Sequence, residues 1–128
     1  LVNKVMFGAD RVTANGDVVN KVGTYMLALA AHENQLPVIC VFPTSTYDPN
    51  TVKGDDVLIE MRPEQEILGL EFQGKKVYPI NAEALNPAFD ISPAKLITHM
   101  VTERGIITPP FNRNIDIPIT KTITEKHK

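Results

Sequence analysis

Val5-Met6-Phe7-Gly8-Ala9-Asp10-Arg11-Val12-Thr13-Ala14-Asn15-Gly16-Asp17-Val18-Val19-Asn20-Lys21-Val22-Gly23-Thr24-Tyr25 decides the fold class of this chain, because a short apolar run ends in a glycine and then leads into a helical pattern. Val2 and Val5-Met6-Phe7 have the length expected of a strand buried on both faces, with Asp10 at its exit. From Asn20 to about Gln35, Val22, Tyr25, Met26, Leu29 and Ala30 recur at three- and four-residue spacing. That spacing predicts a helix with one apolar stripe, on which Lys21, His32 and Glu33 are the polar positions. Pro37 starts a second compact apolar run, Val38-Ile39-Cys40-Val41-Phe42, which Pro43 stops. Strand, helix and strand in this order call for a right-handed crossover and a parallel sheet, so the expected class is α/β.

Downstream, the Thr, Ser, Asp, Pro and Gly content of Thr44 to Asp55 is the chemistry of a loop at a strand end. Val57-Leu58-Ile59-Glu60 is a strand candidate, and Pro63-Glu64-Gln65-Glu66 resembles the first turn of a helix. Gly69 to Lys76 reads as loop and Val77-Tyr78-Pro79-Ile80 as a short edge strand, since its proline cannot donate to a ladder. Ser92 as N-cap and Pro93 as first residue predict a short helix that buries Leu96, Ile97, Met100 and Val101 and ends at Gly105. After Pro109-Pro110, isoleucine alternates with polar residues through Thr124, which suggests an extended arm. The expected organisation is one α/β domain over residues 1–110 and a tail over 111–128.

A chain of 128 residues can form one domain with a real core, burying roughly two-thirds of its unfolded surface. Thirteen basic residues against fifteen acidic ones give a net charge of −2 without a basic run, which argues against nucleic acid as the main partner. The single cysteine, Cys40, cannot form an internal disulfide, which fits a reducing cytoplasm. No apolar run approaches the roughly 18 residues of a membrane helix, and no signal-peptide pattern appears. The chain begins at Leu1 rather than methionine with a strand almost at once, so it is expected to be cut from something longer.

In open α/β sheets the ligand lies beyond the carboxyl ends of the strands, and here that position carries Asp10. A carboxyl group at the end of a buried strand is partly desolvated and poised to give or take a proton; alternatively it caps a turn or pairs with Arg11. Asn20 and Lys21 fall at the start of the expected helix, where free N–H groups and the dipole attract anions; the bland alternative is an N-cap and a solvated lysine. Gly16 is read as permitting a tight turn and Gly23 as letting helix and sheet approach closely. Neither a dinucleotide fingerprint nor a Walker lysine is present, so no nucleotide cofactor is expected. Asp17 stands near Asp10, but no third ligand with suitable spacing points to a metal. Asp90 is read chiefly as structural, accepting backbone N–H bonds or serving as a turn residue, and Cys40 as core.

The Gly8–Tyr25 segment resembles the signature of the methylthioribose-1-phosphate isomerase family, whose relatives include ribose-1,5-bisphosphate isomerase and regulatory subunits of the exchange factor for translation initiation factor two. Asn86-Pro87-Ala88-Phe89-Asp90-Ile91-Ser92-Pro93, Ile97 and Thr102-Glu103-Arg104-Gly105-Ile106-Ile107 resemble the family's closing motif, and Pro37 to Glu66 also reads like it. The likeness covers roughly residues 4 to 108. It implies a Rossmann-like open parallel sheet flanked by helices, forming the carboxy-terminal part of a two-part protein whose amino-terminal portion is smaller and mainly helical. It further implies a homodimeric aldose–ketose isomerase that needs no cofactor, converting 5-methylthioribose 1-phosphate to its 2-ketose in methionine salvage, in the cytoplasm or, in a eukaryote, also the nucleus. On this resemblance Asp10 matches the family's general acid or base, and Asn20 and Lys21 match its substrate contacts. The family's catalytic cysteine belongs to an upstream motif and is not Cys40. Thr44-Ser45-Thr46-Tyr47-Asp48 leans towards the salvage enzymes, whereas Ala30-Ala31-His32-Glu33 and Glu60-Met61-Arg62 lean towards the bisphosphate isomerases. Ribose 1,5-bisphosphate and 5-deoxyribose 1-phosphate therefore stand as alternative substrates, and a non-catalytic regulatory subunit as the alternative role.

Overall fold

In the computed structural model, which describes residues 1–115, β1 (Val5–Phe7) and β4 (Val38–Val41) pair in parallel, Val5 beside Val38 and Phe7 beside Cys40. β9 (His99–Thr102) continues the sheet in parallel on the far side of β4, and β10 (Gly105–Ile107) folds back on β9, giving the order β1-β4-β9-β10. Cys40 thus lies between Phe7 and Met100 in the sheet, and Cys40 and Met100 are fully buried. The α/β class with parallel strands is the one that the apolar runs predict. β1, however, is covered on one face only, since Met6 is 60% exposed.

A second sheet of four strands is one that the sequence pattern did not announce. β2 (Arg11–Thr13) and β3 (Val18–Lys21) form a hairpin around Gly16, whose φ of 93° is the left-handed conformation that glycine adopts without penalty. β5 (Tyr47–Asp48) runs parallel to β2, and β8 (Phe89–Ser92) antiparallel to β3. Val12 and Val18 from this sheet, with Val38, Cys40, Leu96 and Met100 from the other side, form one core. The Asp17 carboxylate ties its surroundings together: it accepts from Asn15 Nδ2 (3.1 Å), from Gly54 N–H (2.9 Å) and from Ala94 N–H (2.9 Å).

The crossover helix α1 (Thr24–Glu33) starts later than the spacing predicts, because β-branched Val18 and Val19 carry Asn20 and Lys21 into β3, where β2 and β8 take the ladder bonds. Its buried residues are Thr24, Ala28 and Ala31, while Tyr25, Met26 and Leu29 of the expected inner stripe are exposed. The helix is apolar nearly all round, so spacing alone could not choose its face; small side chains win because they let the helix sit close to the sheet. A Cβ at Gly23 would meet nothing within 4 Å, so its φ of 105°, not close packing, is what calls for glycine there.

The helix expected after Ser92 is absent. Ser92 is fully buried in β8, Pro93 is extended (ψ 143°), a 3₁₀ turn covers Ala94–Leu96, and β9 follows. Leu96, Ile97 and Met100 are buried as expected, but a strand paired with β4 brings Met100 there. Residues 57–60 form no strand; the Glu60 carbonyl accepts from Ala88 N–H (2.8 Å) beside a Met61–Pro87 bridge. The short helix α2 (Gln65–Leu68) does follow Pro63. The strands beyond it are β6 (Glu71–Phe72) and β7 (Lys75–Lys76), joined through Gln73 and Gly74, both at positive φ, and not Val77–Ile80. Phe111 and Ile115 are buried in the core, the former against Gly16, so residues 111–115 are not an extended arm; the rest of that expectation lies outside the described residues.

Candidate functional site at the strand ends

Asp10 leaves the carboxyl end of β1 and at once joins the second sheet, its N–H donating to Val19 O (2.8 Å). The β2–β3 register pairs Arg11 with Val19 and Val12 with Val18, and the bond from Asp10 N–H to Val19 O sets Asp10 against the Val19–Asn20 peptide. Asn20 in turn is paired with Asp90, and Lys21 with Phe89. Asn20 and Asp90 thus face each other across β3 and β8, with Asp10 beside the Val19–Asn20 peptide and Lys21 next along β3. The spot brings together all three residues singled out from the sequence. It differs from the expectation in two respects: Asn20 and Lys21 stand on a strand rather than a helix start, and Asp10 is exposed rather than desolvated.

The helix terminus expected to hold an anion already holds one. Asp90 accepts from Gly23 N–H (2.7 Å) and from Tyr25 N–H (3.1 Å to each oxygen), so its carboxylate caps α1 from a strand 65 residues or more away in sequence. No side chain of α1's own N-terminus does this, and its first turn carries no acid. Asn20 Nδ2 donates to Thr24 Oγ1 (3.2 Å) and Thr24 Oγ1 to Lys21 O (2.7 Å), which fixes the step from β3 into α1. The Lys21 ammonium lies 5.5 Å from the centre of the Phe89 ring, a cation–π distance that keeps the charge at this edge.

Arg11 does not pair with Asp10; its Nη1 lies 3.8 Å from Asp48 Oδ2. The Thr51 hydroxyl on Asp48 (2.7 Å), helped by Asn50 N–H (3.0 Å) and Arg11, holds that carboxyl below its ordinary range. Glu103, just past β9, accepts from the Thr44 hydroxyl (2.5 Å) and from Thr44 N–H (2.9 and 3.2 Å), and these bonds lower its pKa as well. Neither contact was legible in the sequence, because the partners stand 37 and 59 residues apart and no spacing rule connects them. Cys40 is core, as read: burial pushes its thiol up to about 12, and Sγ faces Gly8 O at 3.7 Å.

The backbones of Asp10, Asn20 and Lys21 meet near the carboxyl end of β1, and the carboxyl edge of a parallel sheet is the place where α/β proteins bind small molecules. The chain belongs to the initiation factor 2 subunit family, whose profile matches residues 1–109. It is 45% identical over 114 residues to a methylthioribose-1-phosphate isomerase of Thermosipho africanus, covering 89% of this chain and 32% of that protein. Among solved structures, the 5-methylthioribose 1-phosphate isomerase of Pyrococcus horikoshii OT3 superposes with a TM-score of 0.81 at 41% identity, over 98% of this chain and 33% of that one. The delta subunit of translation initiation factor eIF-2B from A. fulgidus gives the same TM-score at 36% identity, over 89% and 32%. The chain thus spans about a third of the length of the relatives it matches.

Proposed function

We propose that this chain is the carboxy-terminal portion of an aldose–ketose isomerase that converts 5-methylthioribose 1-phosphate to 5-methylthioribulose 1-phosphate in methionine salvage. The observation that carries the reading is Asp10 at the exit of β1, bonded to Val19 O beside Asn20 and Lys21, in a chain whose relatives are named for that reaction. Phosphate on the anomeric oxygen prevents spontaneous ring opening, so an acid must protonate the ring oxygen as its bond to C1 breaks. Asp10 is the group assigned to that proton, and its exposure leaves it open to a ligand at the sheet edge. The hydrogen on C2 then moves to C1, while the proton of the C2 hydroxyl leaves to a second group, expected to be a cysteine on the preceding part of the protein. Nothing is oxidised or reduced overall, so the reaction needs no cofactor.

Asn20 and Lys21 are assigned to substrate hydroxyl and phosphate oxygens. Because Asp90 fills the N-terminus of α1, the phosphate is held by side chains such as Lys21, not by that helix end. The exposed Tyr25, Met26 and Leu29 support a further part of this reading, burial of that face against the amino-terminal portion or in a homodimer. The unpaired, buried Cys40 is compatible with a cytoplasmic protein.

The test is an isomerase assay on the full-length protein with 5-methylthioribose 1-phosphate, ribose 1,5-bisphosphate and 5-deoxyribose 1-phosphate, with Asp10→Asn alongside. Turnover of the first substrate, lost in Asp10→Asn by a factor of ~100 or more with the fold intact, is the expected result. Preference for another of the three moves the assignment to a sister isomerase. No turnover of any favours the regulatory-subunit role that the A. fulgidus relative carries in its name.

A further inference from the structure

The Thr102-Glu103-Arg104-Gly105 turn has no part in the chemistry above, yet it stands at the same end of the sheet as Asp10. β1, β4 and β9 are parallel neighbours, so their carboxyl ends deliver Asp10, Thr44 and Glu103 to one edge in that order. Glu103 and Asp10 are two strand spacings apart, roughly 10 Å along the hydrogen-bonding direction, which is too far for direct contact. Between them lies the 3₁₀ turn Thr44–Thr46, and both polar groups of its first residue donate to the Glu103 carboxylate: the hydroxyl at 2.5 Å, the N–H at 2.9 and 3.2 Å. Thr44 is only 9% exposed.

That turn has a definite destination. It feeds β5, where Tyr47 pairs with Val12 and Asp48 with Thr13, and Asp48 meets Arg11, the residue after Asp10. A continuous set of contacts therefore runs from Glu103 through Thr44 and β5 to the backbone that carries Asp10. We infer that Glu103 is a positioning residue for the Asp10 site, holding the strand-exit turn Thr44–Thr46 so that β5 and Arg11 fix the exit of β1. The assignment rests on the isomerase reading and adds to it a residue that never touches the substrate.

The chemistry of the clamp separates it from a role for the charge itself. A glutamine side-chain oxygen can accept both Thr44 bonds, whereas alanine can accept neither. In the full-length enzyme Glu103→Gln keeps kcat within about threefold, while Glu103→Ala loses roughly 10- to 100-fold, the scale of a misplacement near 1 Å at a reacting group. The loss falls on kcat with KM nearly unchanged, because Asn20 and Lys21 are anchored through β8 and α1, on the other side of Asp10. Thr44→Val and Glu103→Ala combined cost less than the product of their separate losses, since both break one clamp.

Wild-type kcat in Glu103→Ala, alongside a dead Asp10→Asn, overturns the assignment of Glu103 and leaves the isomerase reading standing. Equal losses in Glu103→Gln and Glu103→Ala overturn it in favour of a direct role for the charge, as does independence of the Thr44 and Glu103 effects. A wild-type protein that turns over none of the three sugar phosphates overturns the isomerase reading, and this assignment with it.

Discussion

Removing the Asp90 carboxylate should loosen the start of α1, by an amount that can be worked from its contacts. Asp90→Ala leaves the N–H groups of Gly23 and Tyr25 without their acceptor, and among the described residues no other side chain accepts from this end of the helix. Loss of an N-cap costs typically about 1 kcal/mol. Withdrawing a negative charge from the positive end of the dipole adds ~0.3–1 kcal/mol. The total expected for Asp90→Ala is therefore roughly 1.3–2 kcal/mol, and about half of that for Asp90→Asn, which keeps one acceptor but not the charge. Urea unfolding of the three proteins measures the totals, and hydrogen exchange at Gly23 and Tyr25 locates them. Asp90→Ala should speed exchange at these two amides by more than tenfold while leaving the centre of β4 protected. Added salt should narrow the gap between Asn and Asp, because part of that gap is electrostatic. A stability of Asp90→Ala within about 0.3 kcal/mol of wild type, where unremarkable surface changes fall, would refute the idea that this strand residue caps the helix.

Other consequences are simpler to check. Gly16→Ala combines a φ of 93° with a Cβ placed 2.6 Å from Phe111 Cβ, so it should destabilise by at least ~2 kcal/mol in denaturant titrations, and Phe111→Ala should relieve part of the added clash. Cys40, with its thiol raised to about 12, should resist a thiol reagent at pH 8 in the folded protein and react at once in denaturant. Asp48 and Glu103 have folded-state values below their ordinary 3.8 and 4.5, so they bind fewer protons folded than unfolded in that range. Their stabilising contribution is complete above the ordinary values and is withdrawn as pH falls through the depressed ones. Thr51→Ala should move the Asp48 midpoint upward in an NMR titration, since that hydroxyl is its largest cause.

Strands whose length and bounds are set by local sequence were legible: β1 and β4 are apolar runs closed by Gly8 and Pro43, and their parallel pairing follows from the helix between them. Elements defined by distant pairing were not. Val18–Lys21 reads as the approach to a helix until β8, some 70 residues on, claims it as a strand. His99–Thr102 keeps its buried Met100 under either period, and only β4 decides which. The same divide runs through the candidate site. Asp10, Asn20 and Lys21 were picked out by position and resemblance, but their neighbourhood depends on the β2–β3 hairpin and on the bond from Asp10 N–H to Val19 O. The contacts made by Asp90 and Glu103 depend on segments tens of residues away, which no local pattern encodes.

The thin inner face of α1 has a consequence for sequence variation. Where Thr24, Ala28 and Ala31 touch the sheet, an added methyl group has nowhere to go, so drift at these positions is confined to the smallest side chains. The bulk a helix ordinarily spends on its own core is carried here by Tyr25, Met26 and Leu29, on the side turned away from the sheet. Exchanges of one large apolar residue for another can accumulate on that side without disturbing the strands that hold Asp10 and Asn20. The packing of that side against whatever covers it can therefore change while the geometry beneath it stays the same.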